Sequence, residues 1–91
     1  LRFAIAKHYL ESGDAARAVE HARVAVELDA DYSAGWRLLG QAQVAAGLNA
    51  DAAASFERGI EVATKAGDRQ VEKEMQVFLK RLRKSSDADD S

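Results

Sequence analysis

The sequence predicts an all-α protein built as a solenoid of antiparallel helix pairs. Three observations predict it. Shifted by 34 residues, the chain overlays itself without a gap from Leu1 to Leu28. There is no proline, which suits a nearly all-helical chain. The last third carries Val71, Met75, Phe78, Leu79 and Leu82 at i, i+4, i+7, i+8 and i+11, a single stripe on one helix face.

The overlay brings small, large and turn residues into one register. Ile5-Ala6 falls on Leu39-Gly40, Tyr9 on Gln43, Gly13 on Gly47, Ala18 on Ala52, Ala22 on Phe56, Ala25 on Gly59 and Leu28 on Val62. A self-match at this period is the mark of stacked supersecondary units. Five helices follow, at about 1–12, 15–29, 33–46, 50–65 and 68–84. Gly13 and Gly47 end the first helix of each pair, because glycine takes the left-handed conformation without strain. Asp14 and Asn49 are the expected N-caps of the second helices, and Asp68 that of the fifth. Ala6 and Gly40 are small where the two helices of a pair meet, with Ala18 and Ala52 facing them. Ala25 and Gly59 are small because the next helix packs over them. Trp36, Leu39, Phe56 and Ile60 fill the remaining space. The fifth helix has one apolar face and closes the stack. Beyond Lys84 no large apolar residue occurs, and residues 85–91 are expected to be a disordered acidic tail.

Ninety-one residues make one small domain, expected over 1–84. The chain is 47% hydrophobic, but much of that is alanine, so the core must come from close helix packing. Without cysteine, neither a disulfide scaffold nor a thiolate metal site is available. The net charge of −2 selects no partner. Its distribution is uneven: seven bases against three acids lie between Lys65 and Lys84, followed by Asp87, Asp89 and Asp90. No apolar run reaches the roughly 18 residues that a bilayer span needs, and no signal-peptide pattern is present. No membrane partner and a cytoplasmic location are expected. The chain opens at Leu1 inside a helical pattern, which reads as a piece of a longer protein.

Trp36-Arg37-Leu38-Leu39-Gly40 and Ala52-Ala53-Ala54-Ser55-Phe56 read W-x2-L-G and A-x3-F. On these residues the chain resembles the tetratricopeptide repeat (TPR) family over about residues 1–66. Its last helix resembles the solvating helix that closes many such arrays. The whole looks like a small bacterial member with repeat 1 at about 1–32, repeat 2 at about 33–66 and a cap at about 68–84. It departs from the family pattern at Gln43, where Tyr is usual, at Ala22, where an aromatic is usual, and at Ala30 and Thr64, where Pro often closes the repeat.

The resemblance implies a right-handed α-solenoid and a non-catalytic scaffold that binds a peptide or protein segment in a concave groove. Carried over, the groove is lined by Phe3, Lys7, Leu10 and Glu11, by Ala34, Arg37, Leu38, Gln41, Val44 and Ala45, and by Arg69, Lys73, Gln76 and Lys80 of the cap. An apolar floor with a basic rim favours an acidic peptide or the free C-terminus of a polypeptide. Arg37 with Gln41, and Arg69 with Lys73, are similar to halves of the family's Lys/Asn/Arg carboxylate clamp, but no Asn stands at the corresponding places. The alternative is self-association as a homodimer, since apolar surface near Phe3 and Ile5 is left uncovered. The expected state is a monomer or weak homodimer.

No catalytic constellation is visible. His8 and His21, the only histidines, lie on different helices at unrelated spacing. They read as a half-buried and a surface residue rather than metal ligands. Glu57 with Glu61, and Glu72 with Glu74, stand on helix surfaces with no nucleophile or phosphate loop beside them. No cofactor is expected. Trp36, Tyr9, Tyr32 and Phe78 fit packing positions better than base-stacking platforms. The run Lys80, Arg81, Arg83, Lys84 reads first as a complement to the helix dipole, and no nucleic-acid partner is expected.

Overall fold

The computed structural model describes residues 1–89. Among them are five helices and no strand: α1 (Arg2–Glu11), α2 (Ala15–Leu28), α3 (Ser33–Ala45), α4 (Asn49–Ala66) and α5 (Arg69–Asp89). Each helix packs on the next in sequence. In addition α1 touches α3, and α3 touches α5. This is the architecture of an α-solenoid, with the first helix of each pair and the cap side by side on one face.

Glycine ends three of the helices. Gly13, Gly47 and Gly67 have φ of 88°, 78° and 76°. After each, the next amide reaches back five residues: Asp14 N to Tyr9 O, Leu48 N to Gln43 O, and Asp68 N to Ala63 O, all at 2.8–2.9 Å. One αL residue thus satisfies carbonyls that the helix end would leave unpaired. Asp14 caps α2 as expected, its carboxylate accepting from Arg17 N at 3.1 Å. Asn49 does not cap α4. The helix begins with it, Leu48 stands at the cap, and no side chain bonds there. The tight turn after Gly47 brings the backbone into helical geometry one residue early. Asp68 precedes α5, but its carboxylate accepts from Ser33 Oγ of α3 at 2.7 Å.

The core has two parts that share Trp36. Ala6, Ala18, Val19, Ala22, Val26, Leu38, Leu39 and Ala42 form the first. Ala52, Phe56, Ala63, Met75 and Leu79 form the second. The close approach at Gly40 is made by Phe56: a Cβ added to Gly40 would stand 2.3 Å from the ring, so the missing side chain is the seat of the ring. Ala52 is buried too, but the tight partner is one turn further along α4. In repeat 1 the same two positions hold Ala6 and Ala22, a larger seat with a smaller occupant. Gly59 is likewise the seat of Met75 on α5 and of Trp36. The Trp36 indole N–H donates to Ala30 O at 2.8 Å and ties down the α2–α3 turn. Gln43, in place of an aromatic, is buried and accepts from buried Ser55 Oγ at 2.6 Å.

Two expectations fail in detail. α5 continues to Asp89, where the sequence reading ends it at about 84 and expects disorder over 85–91. No glycine or proline follows Lys84 to stop the helix. Residues 90–91 lie outside the described residues. The histidines exchange roles: His8 is exposed, and His21 is half-buried. His21 stacks on Tyr9 with centroids 5.4 Å apart and accepts from Arg2 Nη1 at 3.1 Å.

Candidate functional site

α3 is the central helix, and the residues it turns toward α5 recur at i, i+4, i+8 and i+11: Ser33, Arg37, Gln41 and Val44. The first two are bonded across to α5 and to Asp68 just before it. Ser33 Oγ donates to Asp68, and Arg37 Nη1 donates to Glu74 Oε2 at 3.0 Å. The last two are not. Beyond the Arg37–Glu74 pair the space between the helices opens into a cleft of about 290 Å³, lined by Gln41, Val44, Phe56, Phe78, Arg81 and Leu82. The two helices therefore bound a wedge, with polar bonds at its foot and an open apolar mouth.

Each lining residue has a local cause. Phe56 forms the floor because Gly40 lets its ring lie against α3. Phe78 packs on Phe56 with centroids 5.5 Å apart. Leu82 follows Phe78 by one turn on the same stripe. Val44 is 41% exposed, a large apolar side chain held open at the mouth. Arg81 is exposed and makes no hydrogen bond or ion pair with the described residues. The walls are apolar, and the rim carries one guanidinium with no ion pair to the side chains of residues 1–85 and one carboxamide.

The expected groove residues fall into several places. Gln41 and Val44 line the cleft. Arg37 lies on the same strip but is paired with Glu74. Leu38 is only 5% exposed and belongs to the core, because α3 is flanked by every other helix and keeps only a narrow strip free. Phe3 packs edge-on against Tyr32, centroids 5.3 Å apart, at the opposite end of α3 from Val44. Lys7 is exposed on α1, away from the cleft lining. Arg69 and Lys73, with Gln76, are on the other flank of α5, beside Thr64 of α4 and Gly67 at its end. The cap helix is thus rotated from the expected setting. It turns Glu74, Phe78 and Arg81 to α3, and its Arg69–Lys73 edge away. Phe78, Arg81 and Leu82 were missed as site residues. Their 3–4 spacing along the edge of the apolar stripe was the available signal.

Among the described residues no group of three His, Asp or Glu side chains is placed to hold a metal ion. None of the described helices is long and apolar enough to cross a membrane.

No family model matches the chain. It is 54% identical over 82 residues to the TPR repeat-containing protein PA0015 of Pseudomonas aeruginosa, covering 90% of this chain and 78% of that one. The solution structure of protein BPP2914 from Bordetella parapertussis superposes with a TM-score of 0.83 at 39% identity, over 92% of this chain and 73% of the other. A tetratricopeptide repeat domain protein from Salinibacter ruber, solved by NMR, gives 0.81 at 30% identity, over 89% and 82%. The crystal structure of a tetratricopeptide repeat domain protein from the same organism gives 0.83 at 29% identity, over 90% and 91%.

Proposed function

Since the chain belongs to the tetratricopeptide repeat family, we propose that it is a non-catalytic scaffold that holds a peptide or protein segment in the wedge between α3 and α5. Proteins of this family mediate protein–protein interactions. The observation that carries the finer reading is the apolar cleft with an exposed arginine at its rim. Interface energy concentrates where a bulky side chain fills a pocket and a charge at its edge fixes orientation. At about 290 Å³ and open to solvent, the cleft is small for a whole ligand and suits one anchoring side chain. Arg81 favours an acidic group next to that anchor, since arginine forms paired hydrogen bonds with a carboxylate.

The test is capture of partners from a lysate by the native protein, by Val44→Glu and by Arg81→Glu. Both substitutions are at exposed positions and should leave the helix content unchanged. Proteins retained by the native protein should be lost from Val44→Glu and reduced with Arg81→Glu. Recovery of the same proteins by all three would sink the wedge as the binding surface.

A second reading, self-association, is favoured by one observation. Leu28 is 76% exposed and borders a depression with Phe3 and Tyr32. Sedimentation of Leu28→Glu against the native protein over a range of concentrations decides it. A native protein that stays monomeric at the highest concentration removes this reading.

A further inference from the structure

The packing of α5 sorts its charges in a way that the sequence count does not show. At 100° per residue the face opposite the core stripe carries Arg69, Gln70, Lys73, Gln76, Val77, Lys80 and Lys84, and all seven are exposed. The acids of α5 up to Ser85, Glu72 and Glu74, are at its flanks and both are engaged. Glu72 accepts from Thr64 Oγ1 at 2.9 Å, and Glu74 accepts from Arg37. The outward face over Arg69–Lys84 is therefore free of acid. Arg17, Arg37, Arg58 and Arg83 are each in an ion pair, whereas Arg69, Lys73, Lys80 and Lys84 form none with the side chains of residues 1–85. Fifteen residues of helix place these four cations along a straight ridge of about 22 Å.

We infer that this ridge is a second binding surface, and that its partner is a nucleic-acid duplex held by the phosphate backbone. The inference is independent of the wedge. Charge complementarity calls for a polyanion, and the rest of the face narrows the kind. Val77 is its one apolar side chain, so it lacks the apolar centre of a protein interface and the apolar face of a membrane-surface helix. It carries no aromatic on which the bases of a single strand would stack. An exposed helix face with lysine and arginine tips and glutamine between them can meet the phosphates on both sides of a B-form major groove, about 12 Å wide. The basic run first reads as a dipole complement because Lys80–Lys84 is short. On the folded helix the relevant set is the four cations spread from Arg69 to Lys84.

The test is fluorescence anisotropy with a labelled 20-base-pair DNA of arbitrary sequence, using the full protein. Four phosphate contacts give a slope of log K against log salt of about −3.6, a loss of about 150-fold between 50 and 200 mM. Lys73→Gln/Lys80→Gln should halve the slope to about −1.8, a loss of about 12-fold over the same range. Lys7→Gln/Arg23→Gln, the same charge change on α1 and α2, should leave the slope unchanged. The inference is overturned if no salt-sensitive binding is seen at 50 mM, or if both double variants weaken binding equally. It is also overturned if phosphatidylglycerol vesicles, and not the duplex, bind with the Lys73/Lys80 dependence, which would assign the ridge to a membrane surface. Circular dichroism of each variant checks that the helices are intact.

Discussion

Gly40→Ala should destabilise the protein although it places a better helix former in a helix. An alanine Cβ would stand 2.3 Å from Phe56 Cε1 and 2.6 Å from Cδ1 and Cζ. Ordinary carbon contact begins near 3.5 Å, so the ring must retreat by about 1.2 Å. It has little room, being 1% exposed with Phe78 behind it. Overpacking of this kind costs about 1–3 kcal/mol, and the upper end applies to a ring that cannot yield. The gain in helix propensity is about 1 kcal/mol, which leaves a net loss of about 2 kcal/mol. For a domain of this size that lowers Tm by roughly 8–16 °C. Urea unfolding followed by circular dichroism measures it. The decisive part is a double-mutant cycle with Phe56→Ala, which makes repeat 2 like the Ala6 and Ala22 of repeat 1. In that background Gly40→Ala should be stabilising by up to about 1 kcal/mol, a coupling of about 3 kcal/mol. An osmolyte that strengthens apolar burial can hold the double variant folded during the measurement. If Gly40→Ala is neutral in the native background, or equally costly in both, the argument from the ring seat is wrong.

Ser55→Ala strands the buried Gln43 Oε1 acceptor and should cost about 1–3 kcal/mol, read from the same urea midpoint. Its partner change Gln43→Leu/Ser55→Ala should recover part of that loss. Gly67→Ala meets no atom within 4 Å but forces φ of 76° on a residue with a side chain, and should cost about 1–2 kcal/mol. Asp87→Asn/Asp89→Asn/Asp90→Asn removes the acids that follow the basic ridge and should tighten duplex binding at 50 mM salt, measured by anisotropy. Unchanged or weaker binding would separate the tail from the ridge.

The fold was legible because the repeat writes packing constraints at fixed spacing. Gly13 and Gly47 mark helix ends, and Gly40 and Gly59 mark seats for Phe56 and Met75. These constraints are local and survive in a single sequence. The cleft was half legible. Gln41 and Val44 could be found because they follow Arg37 on a helix whose core face the motif identifies. The cap helix was set wrongly because an apolar stripe has two polar borders. Val71, Met75, Phe78, Leu79 and Leu82 say that α5 is buried along one line. They do not say which border turns to α3 and which to solvent. That depends on where α4 and α3 lie relative to each other, and so on Phe78 leaning over Phe56 and on the Arg37–Glu74 pair. Leu38 was misread for a related reason. It points in a different direction from Leu39 on a helical wheel, yet α3 is covered on most of its circumference, and both residues are buried.

The two glycine seats, Gly40 under Phe56 and Gly59 under Met75, have a consequence for the order in which the molecule comes apart. Repeat 1 answers Gly40 and Phe56 with Ala6 and Ala22, so the pair α1–α2 supplies only alanines and valines to the fully buried set. Phe56 and Met75, the largest wholly enclosed side chains, are both at the other end. In a linear stack each unit leans only on its neighbours, and local opening follows local burial. Amide exchange should therefore run along a gradient, with α1 and α2 opening in a low-energy event that leaves α3–α5 closed. The wedge and the ridge both belong to that more persistent half. A partner seated there would slow exchange in α3–α5 while α1 continues to fray, which gives binding a signature that can be read amide by amide.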